Sequence, residues 1–114
     1  MNESTAIFKA LSDHSRLRIL KMLQLRPLCV CEITDVLELA ASTVSQHLSI
    51  LKKEGFILEE RDGKWINYYI NLRPSDKRIS AIMGSLDFWI GDNETVERDI
   101  ARVKTVDRVK VCGL

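Results

Sequence analysis

The feature that most constrains the fold is a pair of short predicted helices separated by only a few residues. Residues 30–38 carry apolar side chains at helical spacing, and Leu39-Ala40-Ala41 forms a tight connection after them. A second helix follows, with Ser42 as its expected N-cap and Gly55 as the residue that ends it. Two helices joined in this way are typical of a helix-turn-helix.

A β-hairpin is predicted directly after the second helix. Residues 56–61 and 64–71 are rich in β-branched and aromatic side chains, and Asp62-Gly63 lies between them. An Asp-Gly pair suits a two-residue hairpin turn, because glycine adopts positive φ without strain. The predicted fold is therefore mainly α with a β-hairpin wing, that is, a winged helix-turn-helix.

The rest of the chain reads as further helices around this motif. Residues 4–24 form a helix that is broken once at Ser12-Asp13, where these residues can cap a new helix, and that is ended by Arg26-Pro27. Pro74-Ser75 opens another helix, and residues 94–107 continue it or form a second one. We predict a single DNA-binding and dimerisation domain over residues 1–107 and a flexible C-terminal tail over residues 108–114.

Composition limits the function without defining it. The net charge is only +1, but residues 41–80 contain seven basic and five acidic side chains, a mild excess that fits nucleic acid. No apolar run is long enough to span a membrane and no secretory signal begins the chain, so we expect a cytoplasmic protein without a membrane partner. The three cysteines are then expected to be reduced, and available for metal binding, redox sensing or packing.

The second helix of the motif has the pattern of a DNA-recognition helix. Val44, Leu48 and Leu51 form one apolar stripe, and small polar side chains cover the opposite side. Glutamine can pair with adenine, and serine can reach base edges or phosphates. His47 lies at the margin of the stripe, so it either contacts DNA or packs inside. The predicted DNA-binding residues, including two at the wing tip, are Ser42, Thr43, Ser45, Gln46, His47, Ser49, Lys53, Arg61 and Lys64.

Cys29 and Cys31 lie at the start of the first helix of the motif, which makes them candidate ligands for a soft ion. On a regular helix they would point about 200° apart, too far to share one ion. Either one of them precedes the helix, or binding unwinds the first turn, and the release mechanism that we predict uses this unwinding after Pro27. A thiol at a helix N-terminus is also expected to have a lowered pKa. Cys112 is the candidate third ligand.

We predict a homodimer, because the chain offers more apolar surface than a small helical core can cover. A two-fold axis would also let paired recognition helices read an inverted repeat in the operator. The candidate dimerisation residues are Ile7, Phe8, Ile79, Ile82, Met83, Leu86 and Ile90.

At this point the sequence resembles the ArsR/SmtB family of winged-helix repressors. The resemblance covers residues 6–72 and rests on residues 8–13 and 16–20, on Leu28-Cys29-Val30-Cys31-Glu32-Ile33, on Ser42-Thr43-Val44-Ser45-Gln46-His47-Leu48 and on Gly55 with the wing. It implies a dimeric repressor that leaves its operator when an inducer binds. In the arsenite-sensing branch a third cysteine often follows the pair by three residues, where this chain has Thr34. In the zinc-sensing branch the C-terminal helix supplies histidines, which residues 75–107 lack.

The expected inducer is therefore trivalent arsenic or antimony first, and cadmium or lead second, with no cofactor needed for folding. The alternative is a redox sensor on the same fold, in which the cysteines form disulfides. An enzyme is not expected, because no nucleophile motif surrounds the two histidines and no glycine-rich phosphate loop exists. We expect Cys29→Ser and Cys31→Ser to bind the operator without releasing it, and Cys112→Ser to respond partially.

Overall fold

The computed structural model describes residues 2–112 and consists of seven helices around a small sheet. None of the helices within this range has the length and apolar character needed to cross a bilayer. In chain order the elements are α1 (Asn2–Leu11), α2 (His14–Leu25), β1 (Leu28–Cys29), α3 (Val30–Leu37), α4 (Ala41–Lys53), β2 (Ile57–Asp62), β3 (Trp65–Ile70), α5 (Lys77–Ile90), α6 (Glu94–Val103) and α7 (Arg108–Val111).

The helix-turn-helix consists of α3 and α4, and the prediction of a winged helix-turn-helix is confirmed. Glu38 ends α3 in the left-handed region, with φ 58°, and donates its backbone N–H to the carbonyl oxygen of Thr34. Ser42 was predicted to cap α4, and this is wrong: Ala40 occupies the N-cap, because the chain turns at Glu38 and the next helix begins at Ala41. Ser42 therefore lies exposed in the first turn.

The wing is the hairpin of β2 and β3, and it differs from the prediction by one residue. Asp62 pairs with Trp65, so the turn consists of Gly63 and Lys64. Gly63 has φ 62°, and Lys64 is not in the positive region, which matches a type II′ turn with glycine first. The short strand β1 adds to the outer side of β3, and the antiparallel order is β1-β3-β2.

One continuous core joins the helices to the wing. The apolar stripe of α4 is confirmed, since Val44, Leu48 and Leu51 are at most 1% exposed. They pack with buried residues of the other elements, which include Ile19, Leu20, Met22, Leu28, Ile33 and Phe56. Two ion pairs lie at the edge of this core, Arg18 with Asp99 and Lys21 with Asp87. The apolar face of α4 thus packs on the same core as α3.

The chain after α6 differs from the predicted flexible tail. Residues 108–111 form the short helix α7, and Cys112 follows as its C-cap. The helix forms because the Asp107 carboxylate accepts the Val109 N–H at 2.8 Å and because Arg108 is held by the wing. The remaining tail residues, 113 and 114, lie outside the described residues.

Candidate thiolate site and DNA-binding surface

The polar face of α4 is open to solvent. Ser42, Ser45, Gln46, Ser49 and Lys53 are exposed, whereas Thr43 is half-buried. No acidic side chain stands in this helix, and Lys52 and Lys53 follow in its last turn. Such a face can enter a major groove without repelling phosphates.

Unlike most of the other predicted DNA-binding residues of α4, His47 is largely buried. Its side chain is 14% exposed and faces the junction of α1 and α2. The Nδ1 atom accepts a hydrogen bond from Arg16 at 3.1 Å, since a guanidinium can only donate. The other ring nitrogen lies 4.0 Å from Asp13, the N-cap of α2. The structure therefore gives His47 a packing role that orients α4.

The wing tip presents the two predicted basic residues, Arg61 and Lys64, and both are exposed. The Nζ of Lys64 lies 5.0 Å from the centre of the Trp65 ring. From the C-terminal side, Arg108 lies over the same ring at 3.9 Å. Trp65 is thus covered by two cations and packs the wing, and its ring is not free to stack on a base.

The structure brings the three predicted metal ligands together. The Sγ atoms of Cys29, Cys31 and Cys112 all lie within 4.8 Å of one another. Cys29 and Cys112 have their sulfur atoms 3.7 Å apart, and Cys31 and Cys112 form a disulfide in this structure. Three sulfurs bound to one ion at about 2.3 Å with tetrahedral angles would be separated by about 3.8 Å. When reduced, the cluster therefore has the size of a three-thiolate site within one protomer.

Cys29 and Cys31 can share an ion because Cys29 precedes the helix. Cys29 is the N-cap of α3 in an extended conformation, with φ −88° and ψ 167°. It also ends β1, where it pairs with Asn67 of the wing. The structure removes the reason for the predicted unwinding after Pro27, because the sulfurs already converge with α3 intact.

The expectation of a lowered pKa at this helix N-terminus is also wrong for Cys29. Burial raises the pKa of its thiol, and the charge of the adjacent Glu32 carboxylate raises it further. These effects outweigh the backbone N–H groups of the first turn, because Cys29 is only 1% exposed.

A buried carboxylate and one arginine position the cluster, and the sequence analysis missed both. The Oε1 of Glu32 accepts the Cys29 N–H at 3.0 Å, and its Oε2 accepts two N–H groups of Arg26 at 3.2 Å. Arg26 also donates to the carbonyl oxygens of Val103 and Val106 at 3.0 Å. It thereby fixes the end of α6, from which α7 and Cys112 follow. A glutamate three residues after the N-cap was the available signal.

The predicted dimerisation residues fall into two groups. Ile7, Ile79 and Leu86 are at most 4% exposed and belong to the core of their own protomer. Ile82, Met83 and Ile90 are half-buried, and Phe8 is 66% exposed. The apolar surface that remains open also includes Phe88 and Trp89, which were not predicted.

The fold and the open polar face of α4 define a winged helix-turn-helix DNA-binding protein. Comparison with known proteins agrees: the profile of the family described as "Bacterial regulatory protein, arsR family" matches residues 13–58. An uncharacterised HTH-type transcriptional regulator of Methanocaldococcus jannaschii is 41% identical over 86 residues, which cover 75% of this chain and 92% of that protein. The structure of HlyU from Vibrio cholerae superimposes with a TM-score of 0.67 at 26% identity, covering 80% of this chain and 95% of HlyU.

Two relatives are named as regulators of resistance to different elements. The arsenic resistance transcriptional regulator ArsR2 of Pseudomonas putida is 34% identical over 91 residues, covering 76% of this chain and 79% of ArsR2. The cadmium resistance regulatory protein CadC of Listeria innocua is 40% identical over 67 residues, covering 58% of this chain and 56% of CadC. The chain belongs to the ArsR family, and it is a DNA-binding transcriptional repressor, not an enzyme.

Proposed function

We propose that this repressor acts in the cytoplasm and leaves its operator when a thiophilic ion binds Cys29, Cys31 and Cys112 of one protomer. Arsenite or antimonite is the preferred inducer, and cadmium or lead is the second choice. The observation that carries the proposal is the convergence of three Sγ atoms within 4.8 Å beside the first helix of the DNA-binding motif. Thiolate ligands select soft ions of this kind.

Charge favours arsenite over cadmium at this site. Arsenous acid exchanges its three hydroxyls for three thiols, releasing three waters, so the bound complex is neutral. A cadmium ion with three thiolates carries one net negative charge and releases three protons. Cys29 is buried and lies beside the buried Glu32 carboxylate, where a further negative charge is costly. The names of the related arsenic and cadmium resistance regulators support both ions as candidates. The charge of the bound complex favours arsenite over cadmium.

Release of DNA would follow from the contact of α3 with α4. The cluster sits at the N-terminus of α3, and the buried face of this helix packs against the apolar stripe of α4. Pulling the three sulfurs around an ion would shift α3, and a small tilt would change the spacing of the paired recognition helices. A hundredfold release requires about 2.7 kcal/mol of coupling, which is within the usual allosteric range.

The test is an operator-binding titration on fully reduced protein against a panel of arsenite, antimonite, cadmium and lead. We expect release at the lowest concentration with arsenite or antimonite. Release by cadmium alone would contradict the ranking of ions, and release by none of them would contradict ion sensing.

A second candidate, redox sensing, is favoured by the Cys31–Cys112 disulfide. In that case oxidation alone, without any ion, would change operator affinity, and arsenite would not change it under full reduction. The same titration, repeated on oxidised protein without ions, separates the two candidates.

Gln46 is proposed to read a base, whereas Lys64 is proposed to contact phosphate. Gln46→Ala should weaken binding to the operator by about 1–3 kcal/mol and binding to random DNA by little. Lys64→Ala should weaken both and reduce the salt dependence by about one ion. Anisotropy titrations on both DNAs at several salt concentrations measure this, with the exposed Gln24→Ala outside α4 as a control. An equal loss on both DNAs for Gln46→Ala would refute base reading.

The protein is proposed to be a homodimer that reads an inverted repeat. Its solution mass should be twice the 13.1 kDa of the chain at micromolar concentration. The open aromatic side chains Phe8 and Phe88, 66% and 83% exposed, should be covered in the dimer. Phe8→Ser with Phe88→Ser should then give monomers by light scattering, and Val109→Ser on α7 serves as the control. A monomeric parent protein would exclude the dimer.

A further inference from the structure

Within residues 2–112, the hydrogen bonds between α7 and the wing come from the Arg108 side chain. The Arg108 guanidinium lies over the Trp65 ring at 3.9 Å from its centre. Its Nη2 donates to Asp62 at 2.9 Å, and its Nη1 donates to the Asn67 side-chain oxygen at 3.3 Å. Asp62 and Trp65 are the two residues that flank the wing turn. Arg108 therefore contacts three residues of the wing next to its turn. Its side chain is only 28% exposed.

Arg108 and Cys112 belong to one helical turn. The Cys112 N–H donates to the Arg108 carbonyl oxygen at 2.9 Å, which is the i to i+4 bond of α7. Because this hydrogen bond joins the two residues directly, we expect a displacement of the Cys112 backbone to move Arg108 as well.

The position of Cys112 depends on the chemical state of its sulfur. Two sulfurs of a disulfide lie about 2.0 Å apart. As ligands of one ion they lie about 3.8 Å apart, given bonds of about 2.3 Å at tetrahedral angles. Cys31 lies in the eight-residue helix α3, whereas Cys112 follows the four-residue helix α7, so we expect a change in the distance between their sulfurs to move α7. The thiol cluster thus has a mechanical connection to the wing as well as to α3.

We propose that Arg108 is a positioning residue that transmits the state of Cys112 to the wing. Movement of α7 shifts the guanidinium on Trp65 and Asp62, and the wing tip with Arg61 and Lys64 moves relative to α4. For ion binding this inference rests on the proposed function. The redox states of Cys31 and Cys112 allow it to be tested without an ion.

The test uses protein labelled with 5-fluorotryptophan and fluorine NMR, in the absence of DNA. The chain has two tryptophans, and Trp65→Phe assigns the signal of Trp65. Spectra are recorded for the reduced protein, the reduced protein with arsenite, and the oxidised protein. An excess of a dithiol breaks the Cys31–Cys112 bond to two thiols and itself closes to a cyclic disulfide, and it is removed before arsenite is added because a free dithiol binds arsenite. The oxidised dithiol, in excess, drives the reverse exchange.

The Trp65 signal should shift between these states in the parent protein and in Lys110→Ala, a control on the same helix. In Arg108→Ala most of the shift should be lost, while arsenite affinity stays within about threefold. Arsenite should then release the operator about tenfold, compared with about a hundredfold for the parent, because the contact of α3 with α4 remains in this variant. Arg108→Lys, which keeps a charge for Asp62 but not the planar stacking, should be intermediate.

Several outcomes would overturn the inference. One is a full Trp65 shift in Arg108→Ala, and another is the absence of any shift in the parent between its reduced and oxidised states. Failure of the parent to bind arsenite would instead refute the proposed inducer, and the comparison of the two redox states would still decide the role of Arg108. If Arg108→Ala does not fold, as judged by circular dichroism, the Arg108→Lys variant decides, and a full shift in it contradicts the stacking contact.

Discussion

Operator DNA should stay bound to Cys112→Ser at arsenite concentrations that release it from the parent protein. The parent should lose about a hundredfold in affinity, or about 2.7 kcal/mol, and the variant less than about tenfold. The sequence alone predicted a partial response for this variant. From the structure we expect this variant to lose more of its arsenite response, because the Cys112 sulfur is 3.7 Å from the Cys29 sulfur and adjoins Cys31.

The control for this experiment is operator affinity without arsenite. Cys112→Ser and the double variant Cys29→Ser, Cys31→Ser should bind the operator as the parent does, because none of these residues lies on the face of α4 that we propose to bind DNA. Anisotropy titrations under full reduction measure both quantities. Normal release of the double variant by arsenite would exclude these cysteines as the sensing site.

The second large effect is expected at Glu32. Glu32→Ala should lower the free energy of unfolding by about 2–3 kcal/mol, measured by urea denaturation. The carboxylate is buried and accepts hydrogen bonds from Cys29 and Arg26, so its removal leaves these donors without their partner. The loss is limited to this size because the Arg26 side chain is 37% exposed, so water can solvate it when the carboxylate is absent.

Two variants separate the buried carboxylate from a general effect of removing a glutamate. Glu60→Ala, at an exposed position of β2, should change stability by less than about 0.5 kcal/mol. Glu32→Gln keeps an acceptor for the Cys29 N–H but loses the charge that pairs with Arg26. Its free energy of unfolding should therefore lie between those of Glu32→Ala and Glu60→Ala. Equal stability of Glu32→Ala and Glu60→Ala would contradict the role assigned to this network.

Local sequence signals predicted the elements of this fold well. Asp13 caps α2 as expected, accepting the Arg16 N–H at 3.1 Å, and the stripe of Val44, Leu48 and Leu51 is buried. The errors concern the exact positions of a helix cap and a hairpin turn, which depend on the conformation of neighbouring residues. The α4 cap moved from Ser42 to Ala40 because the turn at Glu38 closes early, and the wing turn moved by one residue because Gly63 takes the first turn position.

The tertiary part of the site could not be derived from sequence. Arg26 helps to bring Cys112 to Cys29 by binding the carbonyl oxygens of Val103 and Val106, which lie 77 and 80 positions away along the chain. Helical periodicity likewise cannot distinguish a protomer's own core from a partner's surface. For that reason Ile79 and Leu86 were placed in the dimer interface, although both are buried within one protomer.

The most direct test of the proposed site is arsenic X-ray absorption on reduced protein loaded with one arsenite per protomer. The proposed site predicts three sulfur neighbours for arsenic in the parent protein. It predicts two sulfurs and one oxygen in Cys112→Ser. Two sulfurs and one oxygen in the parent, with no change on substitution of Cys112, would contradict a site that combines Cys112 with Cys29 and Cys31.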